Sequence, residues 1–85
     1  MSQITPVTAF TQPTTATISA RIRAQRKARS LTLQDIERLS NGRIKAVVMG
    51  SYERGSRAIS LARTIEIANL FAIPLSELIE ESKNP

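Results

Sequence analysis

Asn41-Gly42-Arg43-Ile44-Lys45-Ala46-Val47-Val48-Met49-Gly50-Ser51-Tyr52-Glu53-Arg54-Gly55 admits two readings, and the choice between them decides the fold. The run from Ile44 to Met49 is rich in β-branched residues and follows Asn-Gly, a strong hairpin signal. A hairpin needs a partner strand, however, and the preceding residues 33–40 have helical spacing. An isolated two-stranded ribbon would also be marginal in water. The stretch is therefore read as a helix over 45–54, stopped by Gly55.

Helix signals continue outward on both sides. Toward the N-terminus, Thr32 stands as an N-cap with Asp35 three residues on, close to a capping box; it opens a helix that carries Ile36 and Leu39 inward and stops at Asn41-Gly42. Before it, residues 17–29 form a first helix with Ile18 and Ile22 one turn apart on one face and Arg21, Arg23, Lys27 and Arg29 largely outside it. Toward the C-terminus, Ser60 caps a fourth helix presenting Leu61, Ile65, Ala68 and Phe71, and Pro74 starts a fifth that buries Leu78 and either Leu75 or Ile79. Residues 1–14 carry no charged side chain and two prolines, and read as a flexible arm. Such an arm is either an unimportant tail or a groove-tracking segment, although the latter would be expected to carry Lys or Arg. The expected organisation is an arm at 1–14, an all-α, five-helix domain at 15–81 and a tail at 82–85.

With 85 residues the chain has room for one modest core. Twelve Lys and Arg against seven Asp and Glu give a net charge of +5, and the charge is polarised along the chain. Residues 21–63 hold 11 of the basic side chains and only Asp35, Glu37 and Glu53, whereas residues 64–85 hold Lys83 against four glutamates. This balance favours a polyanionic partner, either nucleic acid or an anionic membrane surface. The chain has neither Cys nor His, which rules out disulfides, thiolate or imidazole metal ligands and an imidazole base. No enzyme activity, metal or cofactor is expected. No apolar run reaches the roughly 18 residues of a membrane span, and no signal-peptide pattern opens the chain, so the expected location is the cytoplasm, at the nucleoid, with no membrane partner.

Ser51-Tyr52-Glu53-Arg54-Gly55 resembles the end of the recognition helix in the XRE-type helix-turn-helix family, which includes the lambdoid phage repressors. Ile18-Ser19-Ala20-Arg21-Ile22-Arg23-Ala24-Gln25-Arg26 resembles that family's first helix, Leu31-Thr32 its junction into helix two, and Ala68, Phe71, Ile73 and Leu78 its C-terminal core pattern. The match spans residues 18–80, and within it residues 42–55 are most similar to the BldD-type actinobacterial developmental regulators. The resemblance implies a lambda-repressor-like DNA-binding domain with the helix-turn-helix in helices 2 and 3. Two departures stand out. The turn between Ile36 and Met49 is longer than in the phage repressors, and Leu33 stands where many members have a backbone-contacting Gln. BldD itself carries a C-terminal domain that binds cyclic di-GMP, whereas this chain ends at Pro85; no small-molecule ligand is expected for it.

The family pattern implies that Met49 and Tyr52 enter the core while Ala46, Val47, Gly50 and Ser51 face the groove. Helical geometry agrees, since 45, 49 and 52 share one side and 46, 47, 50 and 51 the other. Two adjacent valines cannot both point inward: Val48 is assigned to the core, and Val47 is either an exposed side chain or an apolar contact for thymine methyl groups. Arg43 and Lys45 are placed to reach phosphates or a guanine edge, or to stay solvated. Arg54 and Arg57 are expected as backbone clamps, Ser51 as a contact to a base edge or phosphate, and Thr32 as a further DNA contact. Arg26 and Glu53 are the expected structural pair that ties the reading helix to the scaffold. The glycines do not form a phosphate-cradling loop, because Gly-Lys-Ser/Thr is absent.

The function so implied is sequence-specific binding of double-stranded DNA by a bacterial transcriptional regulator. It would act as a homodimer on two half-sites about 34 Å apart, with dimer contacts through helix five or a region beyond this chain. A second reading is a helix-turn-helix used for protein contact, as an antitoxin or polymerase-associated adaptor, docking through the acidic last helix with Leu75 and Ile79. Binding of residues 21–29 to anionic lipid is a weaker third, because Ile18 and Ile22 are needed in the core.

Overall fold

The computed structural model describes residues 15–79, with side chains from Thr17 onward; the predicted arm at 1–14, the last residues of the predicted domain and the tail at 82–85 lie outside the described residues. Five helices follow one another: α1 Thr15–Ala28, α2 Leu33–Leu39, α3 Ala46–Arg54, α4 Leu61–Leu70 and α5 Ser76–Ile79. No strand occurs among the described residues. The all-α, five-helix expectation therefore holds, including the helix drawn from the β-branched stretch.

α3 packs against both α2 and α1, and α5 closes the other side against α1 and α4. The core takes at least one side chain from every helix: Ile22, Ile36, Met49, Tyr52, Ile67, Ala68 and Leu78, with Ile44 and Phe71 from the adjoining turns. Fully burying an Ile, Leu or Met side chain stabilises by about 1.5–3 kcal/mol, so these few residues carry most of the favourable free energy of so small a domain. Ile18 packs partly buried against this cluster and Ile22 is fully buried, so both large apolar side chains of α1 are committed to the core rather than free for a lipid surface.

Local chemistry explains where α2 begins and how the turn after it closes. At its start Thr32 Oγ1 accepts from the Asp35 amide at 3.0 Å while the Thr32 amide donates to Asp35 Oδ2 at 2.8 Å, a complete capping box. The Asp35 carboxyl is held at a pKa of about 2, by the hydrogen bond from the Thr32 amide first and that from Arg38 next. After α2, Asn41 and Gly42 both take positive φ, 55° and 79°, a conformation that Asn and Gly adopt with little strain.

Three expectations need correction. Leu39 is 47 % exposed rather than buried, because Ser40 takes the inward position at the end of α2, with its hydroxyl donating to Glu37 O and accepting from the Ile44 amide, and Ile44 fills that corner of the core. α4 is rotated from the predicted stripe: Leu61 and Ile65 are exposed, and Thr64, Ile67, Ala68 and Phe71 face inward. Thr64 can be buried because its hydroxyl donates to Ser60 O at 2.9 Å, which leaves only its methyl to pack. α5 is a single short turn beyond Pro74-Leu75; Leu78 is buried and Ile79 packs against the core, so Ile79 does not belong to a free docking face.

Candidate nucleic-acid interface

α3 is held by its neighbours at both ends. Near its C-terminus, Glu53 receives a bidentate pair from α1: Arg26 Nε donates to Oε2 at 2.7 Å and Arg26 Nη2 to Oε1 at 2.8 Å. Arg26 Nη1 also donates to Leu31 O at 2.7 Å, so one guanidinium joins α1, the α1–α2 junction and α3. The side chains are 12 % and 5 % exposed, and such a fork in a partly dry setting is both stronger and more directional than a surface pair. The hydrogen bonds to Glu53 raise the pKa of Arg26 above its already high ordinary value, so this charge is permanent.

At the N-terminus of α3 the capping residue is Lys45, whose side chain makes no cap hydrogen bond. Glu37 of α2 supplies one instead, its Oε1 accepting from the Ala46 amide at 2.8 Å. The helix ends at Gly55, whose amide bonds back to Tyr52 O.

Between these ends, α3 turns one face to the core and the other to solvent. Met49 and Tyr52 are buried, Val48 is half-buried against the core, and Val47 is 77 % exposed, the largest exposure of any bulky apolar side chain described. Around Val47 lie Gln34, Leu33, Ala46, Gly50 and Arg54, which together line a shallow depression between α2 and α3. Ser51 belongs to the same surface, its hydroxyl donating to Val47 O and accepting from Arg54 Nη2. Gly50 departs from its expected groove-facing place: it is buried, and a Cβ there would meet Leu33 Cδ1 at 3.3 Å and Arg54 Nη1 at 3.1 Å. Leu33 is thus the residue that closes α2 onto α3.

The basic candidates divide into two groups. Arg54 and Arg57 are exposed and, among the described residues, pair with no carboxylate. Lys45 is exposed with its ammonium 3.8 Å from Glu37 Oε2. Arg43 is not brought to this surface: it pairs with Glu66 of α4, which also receives Arg63 Nη1 at 2.8 Å, and the hydrogen bond from Arg43 pulls the Glu66 carboxyl below the ordinary range. Thr32 is exposed at the start of α2, but its amide is committed to Asp35 and only its hydroxyl hydrogen is left to donate. All three acids of residues 21–63 lie against basic groups, Asp35 with Arg38, Glu37 with Lys45 and Glu53 with Arg26, so the positive charge of this half is not offset by a free carboxylate.

Two residues beside this surface have no site role assigned from the sequence. Gln34 follows Leu33, and only the inward turn of Leu33 brings it beside Val47. Glu37 had a signal, an acid in a strongly basic segment, but its partner amide lies nine residues on and across the turn.

No family model and no curated protein matches the chain. Solved structures do. A crystal structure of the DNA-binding domain of BldD is 43 % identical, with a TM-score of 0.73, over 76 % of this chain and 92 % of that one. The S. venezulae BldD DNA-binding domain is likewise 43 % identical, with a TM-score of 0.72, over 76 % of this chain and 94 % of the other. An HTH_3 family transcriptional regulator from Vibrio cholerae shares the fold at 23 % identity and a TM-score of 0.68, over 75 % of this chain and 35 % of its own length.

Proposed function

Because the chain belongs to the XRE-like helix-turn-helix family, close to the BldD DNA-binding domain, we propose that it is the DNA-reading domain of a transcriptional regulator and that it lays α3 in the major groove of double-stranded DNA. The observation that carries this reading is Val47: a β-branched side chain left 77 % exposed in the first turn of α3 gains no packing there, and it stands beside Gln34, Ala46, Ser51 and Arg54 on a face without a free acid. An apolar tip flanked by hydrogen-bonding and cationic groups suits the edge of a base pair that bears a thymine methyl, with phosphates on either side. Arg54 and Arg57 are the phosphate clamps, Ser51 and Gln34 the polar contacts to base edges, Lys45 and the Thr32 hydroxyl the flanking contacts to the backbone. Arg43 contributes only if it leaves Glu66. Two copies act on two half-sites about one helical turn apart, as other helix-turn-helix regulators do.

The test is binding to random and selected duplexes over a range of salt. Affinity falls steeply, with log K against log[salt] sloping by about −0.9 for each phosphate contacted. A flat response would remove DNA as the partner.

A further inference from the structure

We infer that Glu37 is the positioning residue for the reading end of α3: a carboxylate on one helix that substitutes for the missing N-cap of the next and thereby sets which side chains of α3 meet DNA. The inference rests on the proposed function for its consequence, but its geometry stands on its own.

A helix start leaves four amides without an intrahelical partner, and a side chain at the N-cap position normally satisfies one of them. The N-cap of α3 is Lys45, whose side chain cannot accept a hydrogen bond, and among the described residues no side chain accepts from the amides of Val47 or Val48. Ala46 is the exception, through Glu37 Oε1 at 2.8 Å. Glu37 is itself held in place: the last turn of α2 closes with the Gly42 amide on Glu37 O at 2.8 Å, and Ser40 Oγ donates to the same carbonyl at 3.1 Å. One residue therefore anchors the turn by its backbone and the helix beyond the turn by its side chain. This matters because the connection between α2 and α3 includes two residues with positive φ, and no core side chain other than Ile44 pins it. The C-terminal end of α3 is fixed by Arg26–Glu53; without Glu37 the N-terminal end, with Ala46 and Val47, would have only packing to fix its rotation.

The second effect is electrostatic. The start of a helix attracts anions, and here the anion is already present. Glu37 thus keeps a DNA phosphate from docking nonspecifically at the very residues that are to read bases, and Lys45 beside it, 3.8 Å away, offsets the charge without taking the amide. Loss of Glu37 acts on both terms of specificity: tight binding to the preferred site must include the cost of fixing the helix start, while binding to any duplex gains a vacant amide.

The experiment compares Glu37→Ala and Glu37→Gln with the natural chain, on the preferred duplex and on random duplex. Glu37→Ala lowers the specific-to-random ratio about fivefold, the equivalent of one helix cap. Glu37→Gln, whose amide oxygen can still accept from Ala46, keeps the ratio within about twofold of that of the natural chain while raising affinity for both duplexes, because only repulsion is removed. A merely structural role would lower melting temperature and leave the ratio alone, so an unchanged ratio in a folded Glu37→Ala overturns the inference. Amide hydrogen exchange of the natural chain without DNA provides a second, independent test: the Ala46 amide exchanges more slowly than those of Val47 and Val48, and equal exchange of the three overturns the inference too. A natural chain that binds no duplex while its Ala46 amide stays protected would refute the DNA reading and leave the anchoring role of Glu37 standing.

Discussion

α3 and α4 are nearly equal in length, nine and ten residues, and each is followed by a residue in the left-handed region, Gly55 at φ 74° and Ala72 at φ 58°. They are held in different ways. α4 has its own cap, Ser60 Oγ accepting from the Arg63 amide at 3.0 Å, and buries Thr64, Ile67 and Ala68, with Phe71 just beyond its end. α3 borrows its cap from α2 and its anchor from α1, both through carboxylates. Apolar burial is strong but nondirectional, and it tolerates a small rotation of the helix. Hydrogen-bonded charge pairs have a fixed geometry. α4 does receive directional contacts from elsewhere, Arg43 on Glu66 and Arg29 on Phe71 O, but its start is set by its own cap, whereas both ends of α3 are set by side chains of other helices.

The largest effect is expected from Ile67→Ala in α4. Ile67 is fully buried, and its truncation should cost about 4 kcal/mol through reduced apolar burial and a new cavity, yet leave the specific-to-random DNA ratio of the remaining folded protein unchanged. If duplex titrations at low temperature show the ratio falling, α4 shapes the reading face after all.

Arg26→Ala comes next, at about 3 kcal/mol, which for a domain of this size lowers Tm by more than about 12 °C. The two partners are not equivalent. Removing Arg26 leaves Glu53 nearly dry with only Arg23 at 3.9 Å, whereas after Glu53→Ala the guanidinium still donates to Leu31 O, so Arg26→Ala should melt at the lower temperature of the two. Unlike Ile67→Ala, both should also reduce sequence preference.

Val47→Ala removes an exposed side chain of α3 that contributes nothing to the core. It should leave Tm nearly unaltered and cost roughly 1 kcal/mol on the preferred site only, and replacing the contacted thymine by uracil should produce the same loss, with no additive effect of the two. Arg54→Ala and Arg57→Ala should weaken specific and random binding alike and reduce the salt slope by about one unit for each phosphate that is no longer neutralised. A change in ratio with Val48→Ala but not with Val47→Ala would mean that α3 meets DNA rotated by one position.

The smallest effect belongs to the end of α4. Ala72 carries a Cβ in a left-handed conformation, and Ala72→Gly should stabilise the domain by about 1 kcal/mol, read as a rise in Tm, with no effect on DNA.

The helices were legible because their punctuation is local: Thr32 with Asp35, Ser60 and Gly55 each act within a few residues. The inward face of α3 was legible too, since Met49 and Tyr52 lie three apart. What local spacing misjudged was set by distant partners. Thr64 is polar by composition, yet its hydroxyl donates to Ser60 O one turn back and lets α4 turn that side inward; Leu39 is apolar enough to bury, yet Ile44 from the turn fills that corner. In the candidate interface, Val47 lies on the solvent side of α3, where helical spacing put it, whereas its depression shared with Arg54, the pairing of Arg43 with Glu66, 23 residues away, and the cap from Glu37 depend on how the chain folds back.

Under the proposed DNA reading, the buried Gly50 limits how this domain could be retuned to new sequences. A library that randomises the solvent side of α3 would count four adjustable positions, 46, 47, 50 and 51, but a Cβ at 50 already presses on both Leu33 Cδ1 and the Arg54 guanidinium, at 3.3 and 3.1 Å, and a larger side chain would press harder. Leu33→Ala would make the room at the cost of loosening the seat of α3 on α2. Position 50 is thus a hinge pin rather than a letter, and productive variants should come from 46, 47 and 51, with 33 and 50 changed only as a pair.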